Sequence, residues 1–241
     1  MLCLHKDCVA ITDRKALEAI ETPSRLGRWM PIPHAELANA AVARASANGL
    51  QIASEEWGVS RKGGQRLYGV LNFKPDSSIK LPEGVGLSMG LRSSIDKSVA
   101  IGVCSGAKVF VCDNGMMVGD FAIHKLHTTG FRLNHELDRA FARFREQASG
   151  IDAMTNRLKS RILTDSDAKV MLFDAFFEKR VMPFTYLKDV AHEYFEPKHE
   201  EFRGRNMWSW YNSVTEILKQ RNPSDQVTTF RRLNAFVAGV N

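Results

Sequence analysis

The hydrophobic positions change period along the chain. Over residues 35–49 they follow a helix: Leu37, Ala40, Ala41, Val42 and Ala45 form one stripe, and Gly49 supplies a C-terminal stop. From Ser54 to about Leu126 alternation takes over. Residues 57–61, a Lys62-Gly63-Gly64-Gln65 turn and residues 66–74 predict a β-hairpin. Its second arm should turn Leu67, Gly69, Leu71 and Phe73 to one face and Arg66, Tyr68, Asn72 and Lys74 to the other. Residues 85–92 alternate in the same way, with Val85, Leu87, Met89 and Leu91 inward and Gly86, Ser88, Gly90 and Arg92 outward. Short strands are expected at residues 99–103 and 108–112, a tight turn at Asp113-Asn114-Gly115, and a returning strand at residues 117–125. Connections this short favour antiparallel pairing.

From Leu133 the period is helical again. Leu133, Leu137, Ala140, Phe141 and Phe144 make one stripe, and Ile151, Met154, Leu158 and Ile162 another. A third helix is expected at residues 167–180 behind a Thr164-Asp165-Ser166 cap, and two more at 208–220 and 226–237, parted at Asn222-Pro223. Thr22-Pro23 and Pro31-Ile32-Pro33 interrupt the start of the chain. The expected fold is α+β: an antiparallel sheet with a β-hairpin, preceded by one helix and followed by a helical C-terminal half. The expected organisation is an N-terminal extension at 1–33, a helix-plus-sheet core at 34–130 and a helical region packed on the sheet at 131–241.

Composition narrows the class. Of 241 residues 44% are hydrophobic and 25% charged, enough apolar material for a core, so disorder as the main state is excluded. No apolar run approaches the roughly 18 residues of a spanning helix, and the start lacks a signal-peptide pattern, so a cytoplasmic protein with no membrane partner is expected. Four cysteines without a C-x-x-C predict reduced thiols. Net charge is +6, and the halves divided at Gly130 carry +3 each. Within residues 57–127, read as sheet, the balance is +4, which suits a polyanionic partner.

Four blocks carry a resemblance. They are Gly27-Arg28-Trp29-Met30-Pro31-Ile32-Pro33-His34, Gly90-Leu91-Arg92-Ser93-Ser94-Ile95-Asp96-Lys97-Ser98, Gly106-Ala107-Lys108-Val109-Phe110-Val111-Cys112-Asp113-Asn114, and Trp208-Ser209-Trp210-Tyr211-Asn212-Ser213-Val214-Thr215-Glu216. Together they resemble a family of phage- and plasmid-related proteins filed as a domain of unknown function. The chain departs from that family at Ser93, where Asn is more frequent, and at Gly115-Met116-Met117, which is less apolar. The resemblance implies a mobile-element or bacterial intracellular setting, hence DNA metabolism or conflict between host and phage. It supplies no catalytic residues.

Several constellations could carry chemistry. Arg66, Arg92, Lys108 and Lys125 fall on four expected strands with Tyr68 and small residues between them; such a face could neutralise phosphates and let Tyr68 stack on a base. The alternative is an ordinary solvated face. The stretch from Arg92 to Ser98 offers Arg92, Lys97 and three serines to a phosphate, or forms a structural turn in which Asp96 pairs with Lys97 or Arg92. His124 and His127, with Asp113 and Asp120, suggest a metal, but residues three apart on a strand point to opposite faces, so no metal site is expected. Arg132, Arg139, Arg143, Arg157 and Arg161 form a helical ridge, read as solvated. No G-x-S-x-G or H-E-x-x-H is present, and neither a cofactor nor a catalytic group is indicated.

The expected function is therefore nucleic-acid binding, to single-stranded DNA in recombination or replication, through Arg66, Tyr68, Arg92, Lys97, Lys108, Lys125 and His127. The element order resembles that of single-strand annealing proteins, which act as homo-oligomers. The rivals are a metal-dependent nuclease using Asp96, Asp113, Asp120 and His124, and an anti-defence protein that binds a host protein.

Overall fold

In the computed structural model, residues 8–75, 81–109, 114–117, 123–219, 221 and 223–240 are described. They form an antiparallel sheet of seven strands with helices packed on it: β1 (Cys8–Ile11), α1 (His34–Ala47), β2 (Ile52–Ser60), β3 (Arg66–Phe73), β4 (Val85–Ser94), β5 (Ile101–Val109), β6 (Asn114–Met117) and β7 (Ile123–Lys125), then α2 (Leu133–Ser160), α3 (Asp165–Phe173), α4 (Leu187–Phe195), α5 (Met207–Leu218) and α6 (Pro223–Gly239). Strands β1 to β5 lie side by side in chain order, and β6 and β7 share the outer edge of β5. The fold is the expected α+β arrangement, with a helical C-terminal half.

The helix-facing side of the sheet follows the predicted alternation. Leu67, Leu71 and Phe73 of β3 and Leu87, Met89 and Leu91 of β4 are buried as expected, and Ile101 and Val103 of β5, to which the pattern assigns no face, join them. Against them lie Leu37, Ala38, Ala41 and Ala45 of α1 and Leu137, Phe141 and Phe144 of α2. Phe73 meets Phe144 edge-on, their centroids 5.2 Å apart. One buried cluster runs from Leu17 and Ile32 through the sheet and all six α-helices to Val237. Arg44 of α1 and Asp138 of α2 clamp the two helices together through a forked ion pair.

The opposite side of the sheet is not the solvated face that alternation predicts. Tyr68 and Asn72 are only 5% and 6% exposed, and Val70, Ser88 and Cys104 are buried beside them. Tyr and Asn are ambivalent in a polarity pattern, and Val70 was already an apolar residue at an outward position.

Four other elements differ from expectation. The two strands predicted around Cys104-Ser105-Gly106 are one strand: Cys104 pairs with Gly90, Ser105 with Met89 and Gly106 with Ser88. Small residues that read as a turn are held extended by the ladder to β4, and Gly106 also pairs with Met117 of β6. The two stripes after Leu133 belong to one 28-residue helix, α2. Gly150 does not break it, because its cost of roughly 1 kcal/mol is offset by the core stripe of Ala148, Ile151 and Leu158. The N-terminal segment supplies an edge strand, β1, pairing Cys8–Ile11 with β2. The helix predicted at 167–180 starts at its capping box, in which Thr164 and Asp167 exchange hydrogen bonds, but gives way after Phe173 to a π-helical turn, Asp174–Glu178.

Candidate functional site

Four segments meet at one end of the sheet: the N-terminal segment up to His34, the β2–β3 turn, the β4–β5 loop and the residues after β7. The β2–β3 turn bends through Gly63 and Gly64, both at φ 64°. That left-handed conformation suits glycine, and the turn exposes Arg61 and Lys62. Its Gly64 carbonyl accepts a 2.9 Å hydrogen bond from His34 Nε2 at the start of α1. The Gln65 carbonyl accepts from Ile95 N at 2.9 Å, which ties the turn to the β4–β5 loop.

That loop is internally bonded. Asp96 accepts from Ser98 N and Ser98 Oγ, Ser94 Oγ bonds the Val99 backbone, and Arg66 Nε donates to Ser98 Oγ at 2.8 Å. Burial works against the Asp96 carboxylate, but the Ser98 and Ser94 hydrogen bonds and Arg66 outweigh it and hold its pKa below the usual range. Lys97 takes a left-handed φ of 67°, and its Nζ lies 4.8 Å from the centre of the Trp29 ring. Trp29 bridges to Thr128, and Met30 N donates to the His127 carbonyl at 3.0 Å. The N-terminal segment is thus stitched across the end of the sheet.

Beneath these contacts lie two buried imidazoles. His34 is 1% exposed and His127 3%. His127 Nε2 is 3.4 Å from Ser93 Oγ, a long contact between fully enclosed groups. Burial lowers the pKa of His34, against the opposing pull of the Gly64 hydrogen bond and Asp96. Burial, with His34 nearby, lowers that of His127 to about 4. Both rings are therefore neutral near pH 7. With Nε2–H donated to Gly64, His34 Nδ1 is an acceptor. It has no hydrogen-bond partner among the described residues, and neither do His127 Nδ1 and Trp29 Nε1.

Around this neutral floor the charge is one-sided. Residues 20–34, 61–66, 93–99 and 126–129 together hold six Lys/Arg and two Asp/Glu. The cations are Arg25, Arg28, Arg61, Lys62, Arg66 and Lys97; the acids are Glu21 and the internally bonded Asp96. Among the described residues none of these six cations forms an ion pair.

The structure brings Arg66, Lys97 and His127 together here and separates the other expected site residues. Tyr68 is buried against Cys8 and Val70, so its ring offers no open face to a base. Arg92 faces Tyr68 across the β3–β4 ladder. Burial lowers its pKa, the neighbouring Cys104 and Tyr68 oppose that, and Arg231 of α6 adds to it. Lys125 pairs with Ile101 and so stands on the helix-facing side, where its Nζ meets Glu136 Oε1 at 2.6 Å. Glu136 consequently has a lowered pKa. Lys108 lies opposite Gly86, six residues along β5 from the Gly102 register, roughly 20 Å away, and its side chain is outside the described residues. The shared face of four strand cations is thus not formed: the β5–β7 register is offset by three residues from that of β5–β6, and an odd offset puts Lys125 on the other side.

Ser93 and Ser94 are wholly buried, so the loop from Arg92 to Ser98 is a structural turn whose exposed charge is Lys97. Asp96 pairs with Ser98 rather than with Lys97 or Arg92. Asp113 and Asp120 lie outside the described residues, as does the side chain of His124. Among the described residues no three His, Cys, Asp or Glu are placed to hold a metal ion. Of the helical ridge, Arg139 sits 3.6 Å from Glu136 and Arg157 donates to the Val237 carbonyl, so these are structural contacts. Sequence reasoning missed His34, Trp29 and the Arg61-Lys62 tip as partners of the β4–β5 loop. The Gly63-Gly64 pair was the available signal, since a left-handed tip exposes whatever precedes it.

Among the described residues no helix is long and apolar enough to cross a membrane. Comparison with curated proteins and with solved structures yields no match. A family profile, however, matches residues 23–237, from the N-terminal segment that closes the sheet end to the last turns of α6. The chain belongs to the family described as Domain of unknown function (DUF932).

Proposed function

We propose that the cationic end of the sheet binds the phosphate backbone of a nucleic-acid strand. One observation carries the reading: four segments remote in sequence converge over two neutral histidines, and these segments hold six cations against one exposed acid and one internally bonded acid. A backbone of regularly spaced anions is the partner that six cations without an ion pair among the described residues fit. The neutral floor adds no charge, so affinity depends on the rim. This moves the interface from the middle of the sheet to its edge and retains Arg66, Lys97 and His127 from the sequence reading. The resemblance to phage- and plasmid-related proteins favours DNA, and a single strand exposed in recombination or replication is the substrate we infer.

The test is the salt dependence of binding to a labelled oligonucleotide, single-stranded and duplex. If four to six phosphates are neutralised, the log–log slope for a single strand is about −3 to −4. Arg61→Ala/Lys62→Ala/Lys97→Ala should flatten it by about 2. A parent slope near zero overturns the proposal. A steep slope that the triple variant leaves unchanged overturns the assignment to this end of the sheet.

A further inference from the structure

A second surface has a different floor. After α3 the chain makes the π-helical turn Asp174–Glu178, then closes with Lys179 N donating to the Asp174 carbonyl and Val181 N to the Ala175 carbonyl. That closure places Arg180 at φ 48°, in the left-handed position where helices most often use glycine. Beside it opens a groove of about 410 Å³. Phe176, Val181 and Met182 form its floor, and Phe177 and Phe184 its wall. Phe173, Phe177 and Phe184 are 51%, 55% and 55% exposed, an unusual concentration of aromatic surface. Phe173 stacks on Phe177 at 4.9 Å, and Phe177 meets Phe184 edge-on at 5.3 Å.

The rim is cationic. Arg180, Arg221 and Arg232 line the groove. Two of these guanidiniums are held in place: Arg232 Nη1 donates to the Arg180 carbonyl at 2.9 Å, and Arg221 Nη1 to Thr229 Oγ1 at 2.9 Å. The carboxylates of the same turn, Asp174 and Glu178, line a neighbouring groove with Lys179 and Arg232, so Arg232 stands between the two. Oriented guanidiniums around an apolar cleft match carboxylates flanking a large apolar side chain. Bases suit it less well, because Phe173 covers one face of Phe177 and Phe184 meets Phe177 edge-on, which breaks up the flat ring surface on which a base would stack.

We infer that this groove is a docking site for an acidic peptide segment of a partner protein, which lays an aromatic side chain in the groove against the wall of Phe177 and Phe184 and sets its carboxylates against Arg180, Arg221 and Arg232. Arg180 keeps a side chain at a strained position because its charge completes the rim. The inference is independent of the nucleic-acid reading, since it uses other residues.

Fluorescence anisotropy of a labelled nine-residue peptide, aspartates around a single phenylalanine, tests it on the full chain. The peptide should bind, and its Phe→Ala counterpart at least 10-fold more weakly. Phe177→Ala and Arg180→Gly should each weaken binding at least 5-fold. Arg180→Gly should leave the Tm unchanged or raised, which separates lost recognition from lost folding, and Arg61→Ala/Lys62→Ala should have no effect. Equal affinity for the two peptides, or unaltered affinity in both groove variants, overturns the proposal. So does an oligonucleotide that loses affinity on Phe177→Ala and Arg180→Gly while the peptide fails to bind, which would assign the groove to nucleic acid.

Discussion

Among the described residues three non-glycines have a positive φ, and all three are cations: Lys97, Arg180 and Arg205. The comparison between them is instructive. Arg205 is fully used by the fold. Its Nη1 and Nη2 donate to the Tyr194 and Phe195 carbonyls at 2.7 and 3.2 Å, where α4 ends, and its guanidinium lies over both rings. Lys97 at the sheet end lies over the Trp29 ring with its side chain exposed, and Arg180 at the groove is exposed too. In one case a strained backbone serves packing; in the other two it presents a charge outward. Equal local strain therefore has two physical reasons, and substitution by glycine, which relieves strain and removes charge together, separates them.

The largest effect on this comparison comes from the scaffold beneath the sheet. A Cβ on Gly69 would lie 2.2 Å from the Trp57 ring, which is itself fixed by a 3.0 Å hydrogen bond from Nε1 to Glu55. Gly69→Ala should cost about 1–3 kcal/mol or more, read as a fall of roughly 4–10 °C in Tm. An unchanged Tm would mean that Trp57 does not need that space. Arg205→Gly follows, at about 2–3 kcal/mol, because two carbonyls at the end of a helix lose a charged donor. If Arg205→Gly is as harmless as Lys97→Gly, the division between packing and presented cations fails.

The pH profile sharpens the contrast between the two surfaces. His127 has a folded pKa of about 4, well under its unfolded value, and that of His34 is lowered too, beside Asp96, Arg66 and Lys97. Between pH 6.5 and about 4 the unfolded chain takes up protons that the folded chain refuses. The stability these neutral rings contribute is thus complete above pH 6.5 and is lost as pH falls toward 4. Tm measured across this window should fall, and His127→Gln should flatten the slope. The aromatic groove is lined by no histidine, so Phe177→Ala should leave the slope as it is.

Smaller effects come from single charges. Glu136→Gln releases Lys125, and with one more cation near the strand end the oligonucleotide salt slope should steepen by about 0.7, at a stability cost of roughly 1 kcal/mol or less. Lys97→Gly should change stability by no more than about 0.5 kcal/mol in unfolding titrations while weakening oligonucleotide binding. The reverse outcome would make Lys97 a packing residue like Arg205.

Local chemistry was enough to establish the α+β class, the alternation of β3 and β4 with their helix-facing residues, and the start of α3. These follow from alternation, helical spacing and a capping box, all properties of neighbouring residues. The sequence also carried the basic excess and the turn-forming Gly63-Gly64 pair. Only the tertiary structure decided that Tyr68 is buried, that Lys125 stands on the other face beside Glu136, and that His34 and Trp29 join the β4–β5 loop. Each of these depends on which strands pair, in what register, and what covers the second side of the sheet. Such contacts lie tens of residues apart along the chain, where periodicity holds no information. A cation reads the same in sequence whether it ends in water, on a carboxylate or against a carbonyl, and packing alone determines which.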